Sequence, residues 1–208
     1  MKIIIDRIER SPFSFEDVIK LIHASFKERV EQGLLFGCSD ITIEEYSSYA
    51  QDAIVLVAYE EQSNYLLGTT SFTVKQNGKD IYAYNEFTAV IPEMKRKGIG
   101  TMLLLKEFEL AENEGCAYVL SDTSIKAKSS IKLHKRVGFS LIYFTNYKNN
   151  NYYSVVMRKD LDDHNDCSDS LSRKLKLVTS FIKTLIFNKP TGELRWIGRV
   201  YQRIKLKF

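Results

Sequence analysis

Residues 80–115 carry three signals in unbroken succession: a strand pattern, DIYAYNEFTAV, a cationic turn with two glycines, IPEMKRKGIG, and a helix pattern, TMLLLKEFELAENEG. A strand that ends at Val90 and feeds a helix through such a loop aims unpaired backbone amides, and the positive end of the helix dipole, at one point. Gly98 and Gly100 lack a Cβ, so the N–H groups beside them can come close to a ligand. The unit is an anion cradle, and Lys95, Arg96 and Lys97 add mobile positive charge at its rim. Two familiar cradles are excluded. A P-loop needs GxxxxGK[ST], which is absent here, and a dinucleotide fingerprint needs a third glycine where this chain has Leu103.

Periodicity elsewhere alternates between strand and helix. KIIIDRI reads as a strand, and Ser14 with Asp17 and Thr42 with Glu45 have capping-box spacing ahead of helices over about 14–32 and 42–50. Strands follow at 53–61, 65–76 and 80–90, the last two joined by Asn77-Gly78, a hairpin signal. The helix over 101–114 places Leu104, Phe108 and Ala111 on one face, and Gly115 is set to end it in a left-handed cap. A short buried strand is expected at 117–121 and a helix at 126–137. A final hairpin at 139–147 and 151–158 turns around Asn149-Asn150-Asn151. The predicted order is β-α-α-β-β-β-α-β-α-β-β, an α/β architecture.

The 208 residues, 44% hydrophobic and 12% aromatic, are enough for one well-packed domain and an extension. No apolar run approaches the roughly 18 residues of a membrane span. MKIIIDRIER reaches charge at Asp6 without an apolar h-region or a small-residue cleavage site, so a cytoplasmic location is expected. Cys38, Cys116 and Cys167 are odd in number and widely spaced, which fits reduced thiols, and no metal site is read. The net charge of +4 is unevenly divided. Residues 172–208 hold ten Lys or Arg against Glu193 alone, a net +9 that leaves −5 on residues 1–171. The expected domains are therefore 1–160, an acidic linker over 161–171 beginning after Asp160, and a basic tail over 172–208.

Val90-Ile91-Pro92-Glu93-Met94-Lys95-Arg96-Lys97-Gly98-Ile99-Gly100 resembles the acyl-CoA signature of the GCN5-related N-acetyltransferases (GNAT): a V-x-P turn, then [RQ]-x-x-G-x-[GA], with Lys95 in the Arg/Gln position. Ser130-Ile131-Lys132-Leu133-His134-Lys135-Arg136-Val137-Gly138-Phe139 is similar to that family's second motif, A-x-x-L-Y-x-x-x-G-F. Both lie in the expected order on the expected elements, and the resemblance covers roughly residues 1–159. It implies a GNAT fold, with a mixed central sheet of six to seven strands flanked by helices, followed here by the basic helical extension.

The resemblance also implies acetyl-CoA as co-substrate. Its pyrophosphate would rest on the amides of Lys97, Gly98, Ile99, Gly100 and Thr101, with Lys95 and Arg96 beside them and Ser130 opening the second motif. Its pantetheine arm would pair with main chain near Thr88 and Val90, where the family's fourth and fifth strands splay apart. The Asn that members often carry three residues before Ser130 is Ala127 here, which leaves a polar contact missing or supplied by Thr123, Ser124 or Ser129. His134 stands where many members have the Tyr that protonates the departing thiolate. Histidine, with its pKa near 6.5, can do the same work. Lys132, Lys135 and Arg136 would lower that pKa if close, and simple packing at a helix-to-strand junction is the alternative role. For the base, Glu86 lies four residues before Val90 on the strand where members often carry a carboxylate or a water that acts for it. Tyr84, Asn85 or a water are the alternatives.

The expected reaction is direct attack of an amine on the thioester in a ternary complex. A small amine or amino sugar is the expected acceptor, held by 29–40 (RVEQGLLFGCSD) and 146–153 (NYKNNNYY). The other reading is a GNAT domain that binds acyl-CoA with little or no turnover, as a sensor or scaffold. Cys38 has no recognisable His partner and is read as inert. In the tail, apolar residues 175, 178, 182 and 185, and Ile197, Val200, Tyr201, Ile204 and Phe208, form two basic amphipathic helices. They are expected to bury their apolar stripes against the domain or a second subunit, in a homodimer. Peripheral membrane contact is the second option and nucleic acid the last.

Overall fold

Both capping boxes form. The Ser14 hydroxyl accepts from the Asp17 amide at the head of α1 (Phe15–Glu31), and the Thr42 hydroxyl accepts from the Glu45 amide at the head of α2 (Ile43–Ala50), with each N3 carboxylate reaching back to the cap amide. The computed structural model describes residues 2–34, 38–147, 151–161 and 171–186. Strand β1 (Ile3–Arg7) precedes these helices. After them come β2 (Ala53–Glu60), β3 (Tyr65–Asn77), β4 (Asp80–Val90), α3 (Ile99–Asn113), β5 (Tyr118–Ser124), α4 (Lys128–Arg136), β6 (Ser140–Thr145), β7 (Ser154–Asp160) and α5 (Leu171–Ile186). The element order read from the sequence is the one observed, and the basic extension begins as a helix. The bounds move by a few residues: α3 starts two residues before Thr101, and β5 runs three past Ser121.

All seven strands join one sheet in the order β1-β2-β3-β4-β5-β7-β6. Only β4 and β5 are parallel, as befits a pair connected through helix α3, and every other pair is antiparallel. β2 is covered on both faces, which is why Val55, Leu56, Val57 and Ala58 form an unbroken apolar run with almost no exposure. Helices α1 and α2 bury Val18, Ile22 and Tyr46 on the sheet. On the other side α3 contributes Leu104, Phe108 and Ala111, packed with Phe72, Val119, Phe139 and Met157. α3 ends as expected. Gly115 at φ 74° lets Cys116 donate to the Ala111 carbonyl and Gly115 to that of Glu112, a Schellman closure.

Helix α5 docks on β6, the edge of the sheet, but not by its apolar stripe. The Phe144 amide donates to Ser180 Oγ at 2.9 Å, the Phe181 ring lies 5.3 Å from that of Phe144, and Lys176 Nζ sits 4.1 Å above the Tyr143 ring. An edge strand has amides in want of an acceptor, and the side of the helix carrying Ser180 supplies one. Leu175, Val178 and Ile182 therefore face outward, at 62%, 53% and 47% exposure. The expected burial of this stripe is not met by the domain itself. Residues 162–170 of the acidic linker, the second tail stretch after Pro190, and Asn149 and Asn150 of the last hairpin lie outside the described residues, as does Cys167.

Phe181→Ala, which removes about half of a buried aromatic, should cost about 1 kcal/mol and lower the melting temperature by about 2–4 °C. Leu175→Ser or Val178→Ser should leave it unchanged in calorimetry at a concentration where sedimentation shows a monomer. A comparable loss in those two variants would mean that the stripe is covered.

Candidate active site

Strands β4 and β5 pair from Tyr82↔Tyr118 to Asn85↔Ser121 and no further. β4 then follows β3 as far as Gly68↔Val90, while β5 follows β7 to Ser124↔Ser154, so the two diverge. The β5-facing edge of residues 86–90 is left without a strand partner. A bulge re-aims this segment: Phe87 and Thr88 together oppose Thr70, with Phe87 at φ 53°. The Phe87 ring is held edge-on between Tyr46 and Tyr49, at 5.3 and 4.8 Å. The gap opens into a cavity of about 950 Å³, walled by α1, the bulge, residues 94–101, the end of β5 and α4.

At the far end of β4 the chain enters the glycine loop. Arg96 (φ 67°) and Gly98 (φ 89°) are left-handed, and Gly98 caps α3. The first intrahelical bond runs from the Met102 amide to the Gly98 carbonyl at 3.0 Å. The amides of Gly98, Ile99, Gly100 and Thr101 have no carbonyl one turn back and stand at the cavity wall. The two glycines do different work. A Cβ on Gly98 would meet nothing within 4 Å, so its requirement is the backbone angle alone, whereas a Cβ on Gly100 would lie 2.9 Å from a Leu133 methyl. Gly100 therefore serves the close approach of α4. Lys95 and Arg96 border the cavity, while Lys97 stands outside it with Nζ 3.3 Å from Met94 Sδ.

His134 is 2% exposed at the point where the strands part. Its Nδ1 lies 2.9 Å from the Ser130 carbonyl and its Nε2 3.0 Å from Ser121 Oγ, with the Phe139 ring edge-on at 4.9 Å. Burial lowers its pKa, against the Ser130 carbonyl and the Asp122 carboxylate, which raise it. The cause is burial and not the neighbouring cations that the sequence pointed to. Ser121 Oγ continues to Asn85 Oδ1 at 2.9 Å, and Asn85 Nδ2 donates to Glu107 Oε2 at 2.7 Å. Glu107 also accepts from Thr70 at 2.8 Å. Burial pushes this carboxyl up to about 8.

Side chains alternate along β4, so Tyr84 and Glu86 project on the side opposite Asn85. There the Tyr84 hydroxyl donates to Asp122 Oδ1 at 2.6 Å and lies 3.5 Å from the Tyr147 hydroxyl. Glu86 is half-buried, and burial raises its pKa, opposed by Lys75 and by a hydrogen bond from Tyr49 and reinforced by Asp122. Cys38 borders the same cavity, where burial pushes its thiol up to about 12. A thiol so seldom ionised is no nucleophile.

The family model described as Acetyltransferase (GNAT) family matches residues 17–139, more than half of the chain. The chain belongs to the GNAT family of acetyltransferases. Among solved structures it is similar to a GNAT acetyltransferase from Staphylococcus aureus Mu50, at TM-score 0.60 and 16% identity over 77% of this chain and 100% of that one. It is likewise similar to a chain of the NatC complex bound to Gag peptide and CoA, at TM-score 0.62 and 16% identity over 78% and 100%. A third is yncA of Salmonella typhimurium with its cofactor acetyl-CoA, at 0.60 and 16% over 79% and 97%. At such identities the likeness is one of fold. No curated protein matches the sequence.

The geometry of this GNAT chain suits an acyl-CoA. Residues 86–90 offer main-chain groups to an amide-bearing arm, the orphaned amides from Gly98 to Thr101 suit a pyrophosphate, and the cavity is at the upper end of the range for ligand sites. The structure brings Glu86, Thr88, Val90, Lys95, Arg96, Gly98, Ile99, Gly100, Thr101, Ser130 and His134 to one cavity and leaves Lys97 out. Of the groups considered in place of the missing Asn at Ala127, Thr123, Ser124 and Ser129 all reach it, and Ser129 Oγ accepts from Arg29 at 3.3 Å. Tyr147 lies in the 146–153 segment expected at the acceptor pocket, whereas Ser121 and Asp122 at the cavity, and Glu107 behind it, were missed. Any side chain at Gly98 must hold a left-handed backbone, at about 1–2 kcal/mol. Gly98→Asp should therefore lower the melting temperature modestly and abolish the rise that acetyl-CoA produces. A full ligand-induced rise in this variant would show that the anion sits elsewhere.

Proposed function

We propose that this GNAT protein transfers an acetyl group from acetyl-CoA to the primary amine of a small acceptor, an amine or amino sugar. The observation that carries the reading is the parted β4–β5 pair, which puts an unpaired strand edge, an anion loop, Glu86 and His134 around one cavity. Acetyl-CoA, when bound, supplies an acyl group activated as a thioester.

The residues of the chain do the rest. Amides at the head of α3 hold the phosphates, and the edge of residues 86–90 orients the arm. Tyr84, Glu86, Asp122 and Tyr147 form a polar, aromatic and acidic mouth that draws in a cationic amine. The ammonium gives one proton to solvent on entry, and Glu86 takes a second from the nitrogen as it bonds to the acyl carbon and the carbon–sulfur bond breaks, leaving an amide with one N–H. The proton for the departing sulfur comes from His134 Nε2 through Ser121 Oγ, whose hydroxyl turns from Asn85 Oδ1 to the sulfur as it accepts from the imidazolium. Glu86 ends protonated and His134 neutral, and solvent resets both.

A panel of small amines and amino sugars with acetyl-CoA, read by thiol release, tests the function. Release above the amine-free blank with at least one acceptor is expected. Tight acetyl-CoA binding without turnover on any of them would favour the non-catalytic alternative. Glu86→Gln and His134→Phe should each lower turnover by about 10²-fold with little change in acetyl-CoA affinity.

The pH profile of kcat/KM follows from the two environments. Glu86 works as the free carboxylate, so the rate falls as pH drops through its raised pKa, placing the acid limb above that of an ordinary glutamate. His134 works as the imidazolium, so the rate falls as pH rises through its lowered pKa, placing the alkaline limb below that of an ordinary histidine. A narrow bell is expected. Glu86→Gln should remove its acid limb and His134→Phe its alkaline limb.

A further inference from the structure

Glu107 occupies a place on α3 where the helix otherwise buries Leu103, Leu104, Phe108 and Ala111, and it has no exposure at all. A carboxyl so placed is unfavourable without hydrogen-bond partners, and packing alone would be met by an apolar side chain. Its contacts run in one direction. Glu107 Oε2 accepts from Asn85 Nδ2 at 2.7 Å and from Thr70 Oγ1 at 2.8 Å, while Oε1 has no partner among the described residues. Asn85 Oδ1 faces Ser121 Oγ at 2.9 Å, and Ser121 Oγ faces His134 Nε2 at 3.0 Å.

We propose that Glu107 is a positioning residue that, through Asn85 and Ser121, keeps His134 in its proton-carrying form. The inventory of donors and acceptors gives the direction. An acceptor at Glu107 turns the Asn85 amide so that its NH₂ points to α3 and its Oδ1 to Ser121. Oδ1 only accepts, so Ser121 spends its single proton there and offers His134 a lone pair. The opposite ring nitrogen faces the Ser130 carbonyl, which also only accepts. Both ring nitrogens then need a proton, which is the imidazolium. Without the acceptor at Glu107 the amide is free to turn, Ser121 can donate to Nε2, and the neutral ring is favoured.

Other groups act on the two ends of the chain. Asp122 on β5 favours the imidazolium. Tyr49 on α2 resists ionisation through burial first and then through the nearby Glu86 and Glu107 carboxylates, Thr70 and Thr88 are neutral hydroxyls beside Asn85, and Lys132 and Arg136 on α4 border the cavity. None of these fixes the orientation of Asn85 as Glu107 Oε2 does, which accepts from it whether or not the partnerless Oε1 carries a proton.

The proposal rests on the proton-donor reading of His134 for its catalytic meaning, but its test does not. NMR titration of the His134 imidazole, assigned by its disappearance in His134→Phe, reads pKa and tautomer without turnover. Glu107→Met, which removes the acceptor at similar volume, should lower the His134 pKa by about one unit, a tenfold change, the scale of one hydrogen bond to a charged group. Glu107→Gln keeps an amide oxygen for Asn85 and Thr70 and should titrate close to wild type. Ser121→Ala should show the shift of Glu107→Met, and combining the two should add nothing. Asn85→Ala cuts the next link and is expected to give the same shift should Glu107→Met fold poorly.

An unchanged His134 titration in folded Glu107→Met or Asn85→Ala overturns the proposal. So does a double variant whose shift is the sum of the two single shifts, because the carboxyl would then act through space. If His134 shifts as expected but the alkaline limb of kcat/KM does not follow, the donor role of His134 fails and the positioning chain stands.

Discussion

The pairing of β4 with β5 stops at Asn85 and Ser121 because each strand is held more firmly by its other neighbour. β3 keeps β4 through a bulge as far as Val90, and β7 keeps β5 to Ser124. Neither can bend back toward the other without giving up an antiparallel ladder. Everything the site needs follows from that contest. The unpaired edge of residues 86–90, the position of α3 at the end of β4, and the exposure of Ser121 and His134 to the cavity are consequences of two strands with divided partners.

The apex of that gap is unusually polar. Thr70, Asn85, Thr88, Glu107, Ser121 and His134 form a connected set where the surrounding sheet and helix are apolar. A network of this kind holds only if nearly every donor and acceptor is met, and the low local dielectric makes each bond count for more. One oxygen of Glu107 is the exception. It lies on a side chain whose acidity burial has already weakened, which is where a partnerless atom is best tolerated.

Much of the fold could be read from local pattern. The two capping boxes, the Asn77-Gly78 turn, the glycine that closes α3 and the β-branched and aromatic runs of β2, β3 and β4 depend on residues a few positions apart, and all of them formed. The glycine loop and the motif around His134 were legible for the same reason. The polar chain at the apex was not, because Asn85 meets Glu107 across 22 residues and Ser121 across 36. Helical spacing puts Glu107 on the stripe of Leu104, Phe108 and Ala111, but only the assembled sheet shows the polar groups that meet it there. The side of α5 that docks on the domain was hidden for a related cause. The stripe with the most carbon looked like the buried one, but the edge of β6 needed an oxygen, and Ser180 had it.

The gap between β4 and β5 makes the sheet permeable. Its cavity is lined both by α1, which packs on one face, and by α4, which packs on the other. In the reaction proposed above, a nucleotide-bearing donor held at α3 and α4 and an amine entering beside Tyr84 and Tyr147 would not stand in each other's way, so sterics would impose no order of arrival on the two substrates.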